Sequence, residues 1–420
     1  MISGFNQTTS STRIVIPFYI YAAISFLVAS SLLVLKANNL FLHHFHPSTL
    51  SITHTMALGW GTMIIFGASH QLIPVIIESK IYSEKLGIIS FILLAFGIPL
   101  LIYGFYVFDM GSIMRWGGRL IILGVMAYVI NIAMSIHKSK SDNIHMYFIL
   151  FSALWLLLTC IFGLALVYNF TSNVLPEDSL KYLPLHAHIG ILGWFLLLII
   201  GIGSKLIPMF LISKYKNLPL LKTILILVNS ALLILALLYT NYNALSIQMS
   251  SIAISIALIL FIYFIYQSIK SRIKKRIDKE VRLSIFSIAL TILPIFLLSV
   301  IINNSNNIPH SIINLYGFFI FFGFITSIIL GMSFKTLPFI VWNKVYRIQT
   351  SAQKQPKDLY NNFLYDKMYW MYLVSIIAFG IGMIFEKQVI VIPSCIGILL
   401  TAVMYVLNIY KIISTKANEN

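Results

Sequence analysis

The sequence predicts an all-α polytopic membrane protein of about 12 transmembrane helices, arranged as three pseudo-repeats of four. Three observations predict this fold class. Of the 420 residues, 59% are hydrophobic and only 10% are charged, and the mean hydropathy is +0.92, which is far more apolar than a soluble domain requires. Apolar runs of about 20 residues, the length that spans about 30 Å of hydrocarbon, recur along the whole chain. One sequence motif also returns twice.

The motif occupies residues 54–74, HTMALGWGTMIIFGASHQLIP, and returns at 188–208 as HIGILGWFLLLIIGIGSKLIP. Counted from the histidine, both copies place Gly at +5, Trp at +6, Gly at +13 and Pro at +20. A weaker third copy at 318–338, FFIFFGFITSIILGMSFKTLP, keeps both glycines and the proline but begins with Phe318. The copies are spaced by 134 and 130 residues, which exceeds solenoid periods, so we expect three copies of a large unit.

Four helices in each unit place the motif on the second helix of each. We expect a single integral membrane domain over residues 1–420, with pseudo-repeats at about 14–136, 147–268 and 283–412. The first span lacks a small-residue cleavage site, and we expect it to be retained. The predicted spans, with ends uncertain by about 2–4 residues, are 14–35, 50–74, 86–108, 114–136, 147–170, 184–211, 219–240, 246–268, 283–302, 309–340, 368–386 and 389–412.

The distribution of Lys and Arg predicts the orientation. The loops after helices 2, 4, 6, 8 and 10 are basic, whereas the loops after helices 7 and 9 hold no Lys or Arg. Because short cytoplasmic loops are enriched in these residues, we expect both termini and a polar loop at about 342–367 to be cytoplasmic. This topology, together with attraction to anionic lipid at 270–282, accounts for the net charge of +17 without a nucleic-acid partner.

Several functional classes lack their sequence signals. The chain has no Walker loop, no GxGxxG after a strand, no HExxH and no GxSxG, which argues against hydrolases and nucleotide-driven pumps. Cys160 and Cys395 both fall inside predicted spans, so neither indicates a disulfide, a redox pair or a zinc site.

The histidines carry most of the chemical information. His54 and His188 are predicted one to two turns, about 5–9 Å, below the outer surface. An imidazole in a membrane span is costly unless it faces the bundle and has a partner, so a functional role is the first hypothesis, and a hydrogen bond that joins helices is the alternative. His186 and His188 point about 160° apart on a regular helix, which prevents them from sharing one metal ion.

The other motif positions are interpreted as packing residues. The Trp, the second Gly and the Pro fall on the far side of a regular helix from the histidine, where glycine allows close backbone approach and proline ends or kinks the helix. Lys205 and Lys335 are expected to be interfacial anchors. His137 and His145 are expected in a cytoplasmic loop, and the cluster FLHHFH at 41–46 is expected to be solvated, with an outer copper-collecting loop as the alternative.

Three four-helix units, histidines near the outer ends of helices 2 and 6, and the pattern H-x4-G-[WF]-x6-G-x6-P resemble the haem-copper oxidase subunit I superfamily (cytochrome c oxidase subunit I-like). Within it, the chain is most similar to reduced members such as the NnrS-type membrane haem proteins of the nitric-oxide response. The resemblance implies haem b as a cofactor, allows copper, and implies a bacterial inner membrane.

The resemblance assigns His54 to the axial ligand of the low-spin haem, and His188 or His186 to a position that supplies a copper ligand in true oxidases. The oxidase helix 10 carries H-x-H, whereas the matching residues here are Tyr316 and Phe318; His310 lies two turns earlier. Helix 7 contains no histidine, and helix 6 lacks the His-Pro-Glu-Val-Tyr motif. Together with the scarcity of membrane carboxylates, these departures argue against oxygen reduction and proton pumping.

The first hypothesis is therefore a haem-binding, or copper-binding, relative without a complete oxygen-reducing site, acting in nitric-oxide or respiratory stress handling. His188, His186 and His310 are the candidates for the second axial ligand, and a cytochrome or other respiratory subunit is the candidate electron partner. A second hypothesis is a transporter or channel-like protein that uses the same scaffold without a cofactor. A third is a nitric-oxide reductase-like oxidoreductase, for which suitable glutamates are lacking; the catalytic residues are left unassigned.

Overall fold

A computed structural model gives the structure of the protein and describes residues 12–239, 244–304, 308–346 and 354–416. Within these residues the chain forms helices only, apart from one antiparallel bridge between Ser213 and Arg272. The predicted all-α fold class is therefore confirmed. Both chain termini, for which a cytoplasmic location is predicted, lie outside the described residues.

Twelve long helices follow one another along the described chain and are numbered here in order; two short 3-10 helices, Ala37–Phe41 and Pro356–Asp358, lie between them. The long helices are α1 (Thr12–Leu35), α2 (47–76, formed by Pro47–His54, Thr55–Thr62 and Met63–Ile76), α3 (Glu84–Val107), α4 (Ser112–Lys138), α5 (Ile144–Ser172), α6 (Ser179–Leu211), α7 (Leu218–Leu238), α8 (Ala244–Lys270), α9 (Lys279–Asn303, interrupted at Thr291), α10 (His310–Tyr346), α11 (Asn362–Ile384) and α12 (Gln388–Ile413).

Eleven of these helices are long and apolar enough to cross a membrane by length and composition. The exception is α2, whose 47–76 run carries two histidines and Gln71. Large apolar side chains lie exposed along the outward faces, among them Leu237 at 73% and Phe96 at 68% exposure. Surfaces of this kind belong in hydrocarbon rather than water. The chain is thus an integral membrane protein whose outward faces contact the lipid bilayer.

The largest boundary differences lie around the predicted polar loop at 342–367. Helix α10 continues to Tyr346, and α11 begins at Asn362 because the side chain of Asn361 accepts hydrogen bonds from the backbone N–H groups of Phe363 and Leu364. The start of α11 is therefore set by this cap rather than by the apolar run that follows it. The central part of the loop, 347–353, lies outside the described residues.

The described chain divides into two compact units. The first holds residues 72–104 and 109–281, which include most of α3 and all of α4 to α8. The second holds residues 12–71, 105–108 and 282–416, which include α1, most of α2, most of α9 and helices α10 to α12. The second unit is thus built from the beginning and the end of the chain.

In the first unit, the antiparallel helices α5 and α6 pack with a small residue opposite a large one at successive levels. A Cβ atom added to Gly193 would lie 2.6 Å from Cβ of Trp155, and one added to Gly201 would lie 2.4 Å from Cβ of Phe148. Only glycine permits such an approach. The motif glycines at these two positions are therefore packing residues, as predicted.

In the second unit, α2 packs against α1 through the same motif. A Cβ atom added to Gly67 would lie 2.8 Å from Cβ of Phe18. Trp60 is fully buried, stacks on Phe26 with ring centroids 4.7 Å apart, and donates from Nε1 to Oγ1 of Thr326 at 3.0 Å. The tryptophan of the motif is thus a core residue with its one polar atom satisfied.

Candidate functional site

Each copy of the motif contains a π-helical segment in the same register. The segments are Thr55–Thr62, Ile189–Leu196 and Phe319–Ile325, and each begins one residue after the first position of its copy. π-Helices are rare, occur mostly as single turns and are often found at functional sites. A π-helix turns less per residue than an α-helix. The side of the helix on which the second Gly and the Pro lie, relative to the histidine, therefore cannot be read from a regular α-helix.

The sequence does not predict these segments. Side-chain hydroxyls bond to their carbonyls: Oγ1 of Thr62 donates to Ala57 O at 2.8 Å, and Oγ1 of Thr326 donates to Phe321 O at 2.7 Å, each five residues back. In the third copy, the hydroxyl of Tyr372 also lies 2.6 Å from Phe322 O. A donor from another helix, Tyr372 on α11, thus helps to hold the π-helical turn of the third copy.

His54 and His188 close the regular helix just before the first two π segments. Nδ1 of His54 lies 2.8 Å from Leu50 O, and Nδ1 of His188 lies 2.7 Å from Pro184 O. A carbonyl oxygen only accepts hydrogen bonds, so each Nδ1 carries the proton and the lone pair of the neutral ring lies on Nε2. Metal-ligating histidines typically have this second hydrogen bond, which fixes both the tautomer and the ring orientation.

Phe318 occupies the equivalent position in the third copy. Its ring is buried and stacks on Phe379 with centroids 3.6 Å apart. The half-buried ring of His54 stacks on Phe105 at 4.3 Å. The position therefore accepts a flat ring of either kind, and only the histidine copies add nitrogen atoms to it.

His186 and His310 lie in other surroundings. Cε1 of His186 would lie 2.7 Å from a Cβ atom on Gly163, so its imidazole lies close against the backbone of α5. His310 is the first residue of α10, and its ring centroid lies 4.9 Å from that of His43. The His43 ring in turn stacks on the His44 ring, with centroids 4.1 Å apart. The structure thus groups His310 with the histidines of the loop before α2.

This imidazole cluster, formed by His43, His44 and His310, is partly shielded. Nδ1 of His44 is buried without a hydrogen-bond partner. Burial, and then the neighbouring His43 and His310, lowers the pKa of His44 from its ordinary 6.5 to about 4. Burial and His310 also lower the pKa of His43. The expectation that the histidines of residues 41–46 are solvated therefore holds only in part, because His44 is shielded from water.

The sequence predicts that His137 and His145 lie in a loop, and this is wrong for both: His137 lies in the last turn of α4, and His145 lies in α5. His145 is the second residue of α5, is buried, and its Nδ1 lies 2.9 Å from Gly201 O. Its backbone lies in a helix because Asn143 caps α5 by accepting from Met146 N at 3.3 Å. His145 links α5 to α6 at the level of the Gly201 contact, which is a helix-joining role.

Within the part of the chain that the structure describes, no three His, Cys, Asp or Glu side chains are placed to hold a metal ion together. A haem iron needs at most two axial protein ligands, so this finding does not bear on the two histidines that precede π segments.

No protein-family model matches the chain, and no curated protein sequence matches it either. What points to a function is therefore the repeated motif itself and the geometry of its two histidines.

Proposed function

We propose that this integral membrane protein binds a b-type haem and that His54 supplies an axial nitrogen to its iron. The observation that carries the proposal is the pair of Nδ1 hydrogen bonds at two equivalent motif positions, to Leu50 O and to Pro184 O. A backbone acceptor at Nδ1 presents Nε2 in the protonation state that a metal requires.

The motif histidines fit a b-type haem. Imidazole suits both haem iron and copper, and the motif histidines are half-buried. His188, His186 and His310 are the candidates for the second axial position. When bound, the haem would supply one-electron redox chemistry. The chain's own contribution is to hold each ring at a fixed angle with its proton on Nδ1.

This proposal also covers the physiological setting, a role in nitric-oxide or respiratory stress handling in which a separate cytochrome or respiratory subunit supplies electrons. Copper is the alternative metal at the same histidines. The setting is supported by the resemblance of the motif and by the same two histidines. We assign no catalytic residue.

The test is the pyridine-haemochrome and reduced-minus-oxidised spectrum of the full chain, purified in mild detergent from haem-sufficient cells. We compare His54→Phe and His188→Phe, because Phe318 shows that a phenyl ring is accommodated at this position. The matched control is His70→Phe, since His70 is buried on α2 and has the same kind of bond, Nδ1 to Phe66 O at 2.6 Å, but does not precede a π segment.

We expect a b-type signal in the wild type and in His70→Phe, a lost signal in His54→Phe, and a lost or shifted signal in His188→Phe. A wild-type protein without haem or copper by spectrum and metal analysis would refute the proposal and leave the cofactor-free transporter. Full haem with an unchanged spectrum in His54→Phe would refute the assignment of His54.

A further inference from the structure

Two arginines lie one turn apart near the start of α4 in the first unit. Arg115 and Arg119 both reach the end of α5, where Arg115 Nη2 donates to Oγ1 of Thr171 and Arg119 Nη2 donates to the hydroxyl of Tyr168. The Tyr168 ring lies beside both guanidinium groups, with its centroid 4.9 Å from Cζ of Arg115 and 5.8 Å from Cζ of Arg119. Hydroxyl bonds and ring stacking thus hold both side chains in place.

Among the described residues, neither arginine forms an ion pair with a carboxylate; the pairs Lys181–Glu177 and Lys274–Asp278 do not include them. The nearest carboxylate along the chain, Asp109, accepts from the backbone N–H of Gly111 at 2.8 Å instead. Like charges one helical turn apart repel each other. The arrangement therefore favours an anion that lies between them.

The guanidinium groups also have donors left for such an anion. Each carries five N–H bonds and uses one in the hydroxyl bond described above. Nε of Arg115 is buried and has no hydrogen-bond partner. The planar fork of arginine matches the oxygens of a phosphate better than the ammonium of lysine does.

The surroundings indicate that this anion belongs to a lipid. Trp116 is 56% exposed, and Arg119 Cζ lies 4.5 Å from its ring centroid. Trp116 belongs to an exposed apolar stripe on α4 that continues through Leu123, Met126 and Ile130. A tryptophan at the end of such a stripe is typical of the level of the lipid headgroups. Acyl chains along the stripe would place a phosphate beside the two arginines.

We propose that Arg115 and Arg119 form a binding site for the phosphate of an anionic phospholipid, with Tyr168 and Trp116 positioning the two guanidinium groups. The site is independent of the haem proposal. A zwitterionic lipid is disfavoured because its ammonium group brings a further positive charge to a pair that already repels.

The test is native mass spectrometry of the full chain in detergent, titrated separately with phosphatidylglycerol, phosphatidylcholine and inorganic phosphate. The variants are Arg115→Gln/Arg119→Gln and the charge-conserving Arg115→Lys/Arg119→Lys. The matched control is Lys138→Gln/Lys140→Gln, which also removes two positive charges. Lys138 is the last residue of α4 and Lys140 lies just beyond it, and Lys138 Nζ lies 4.5 Å from the centroid of the Tyr82 ring. Thermal unfolding of each variant verifies folding.

We expect retained phosphatidylglycerol in the wild type, with affinity at least about tenfold lower in the double glutamine variant and intermediate in the double lysine variant. The Lys138→Gln/Lys140→Gln control should retain wild-type affinity. An equal loss in that control would refute a local site in favour of general charge attraction. Three other results would also overturn the proposal. The wild type could retain phosphatidylcholine as well as phosphatidylglycerol, or both arginine variants could keep the wild-type affinity. Inorganic phosphate could also saturate the site and displace the lipid.

Discussion

The substitution Gly201→Ala tests how closely α5 and α6 pack. The new Cβ atom would lie 2.4 Å from Cβ of Phe148, whereas carbon atoms in contact prefer about 3.5–4.0 Å. Because a Cβ atom cannot rotate away from its own backbone, the two helices would have to separate by about 1 Å. This shift would also lengthen the hydrogen bond of 2.9 Å between His145 Nδ1 and Gly201 O.

Overpacking of this kind costs about 1–3 kcal/mol, and replacing glycine in a helix returns about 0.5–1 kcal/mol. We therefore expect Gly201→Ala to lower the free energy of unfolding by about 1–2 kcal/mol. The matched control is Gly203→Ala on the same helix, where the nearest atom to the new Cβ, Cζ of Phe261, lies at 3.5 Å, an ordinary contact. That variant should be neutral or slightly stabilised.

The assay is denaturation of the purified protein in detergent, followed by tryptophan fluorescence. Trp155 and Trp194 report from the interface itself, since Trp155 packs on Gly193 and Trp194 is the next residue. If Gly201→Ala is as stable as Gly203→Ala, the close approach of α5 and α6 is absent and the packing role of the motif glycine is refuted.

Three further predictions concern the motif and the histidine cluster. His54→Phe should lower the free energy of unfolding by no more than about 1 kcal/mol, because a phenyl ring keeps the stack on Phe105 while the bond to Leu50 O is lost, whereas His54→Ala should lower it by about 2–4 kcal/mol through lost packing. Equal losses for the two variants would contradict the inference from Phe318 that this position accepts a phenyl ring. Tyr372→Phe should cost about 1–3 kcal/mol, since its buried hydroxyl lies 2.6 Å from Phe322 O and 2.7 Å from Ser327 Oγ; wild-type stability would show that the π segment does not depend on this donor. The folded-state pKa of His44 lies below its ordinary 6.5, so the unfolded state takes up the proton first and apparent stability should fall as the pH drops from 6.5 towards about 4. His44→Gln should flatten this pH dependence, and an unchanged profile would assign the acid sensitivity to other groups.

The sequence predicted the helical spans well because hydrophobic length is a local property. Most predicted ends lie within three residues of the observed ones; α11 starts earlier because Asn361 supplies a cap outside the apolar run. The burial of His145 was missed for a related reason, since Asn143 caps a helix that starts before the hydrophobic run. A capping asparagine ahead of an apolar run, such as Asn143 or Asn361, therefore indicates the start of a helix better than hydropathy does.

The candidate site was predicted only in part. Repetition identified His54 and His188, but the hydrogen bonds that fix their tautomers required coordinates. The π segments were beyond sequence reasoning because a donor that helps to hold one of them, Tyr372, lies about 50 residues away on another helix. The grouping of His310 with His43 is likewise a long-range contact. Such contacts leave no periodic pattern in a single chain.

The third motif copy separates the architecture from the chemistry. It has no histidine, yet it forms a π segment in the same register, supported by Thr326, Tyr372 and Ser287, whose Oγ donates to Phe324 O at 2.8 Å. The imidazole is therefore not needed to form the π-helical turn. Nor is it needed for packing, because Phe318 fills the position with a stacked ring. Histidine is costlier than phenylalanine in a membrane span, so what His54 and His188 add over Phe318 is nitrogen chemistry, which is what a metal or haem ligand requires.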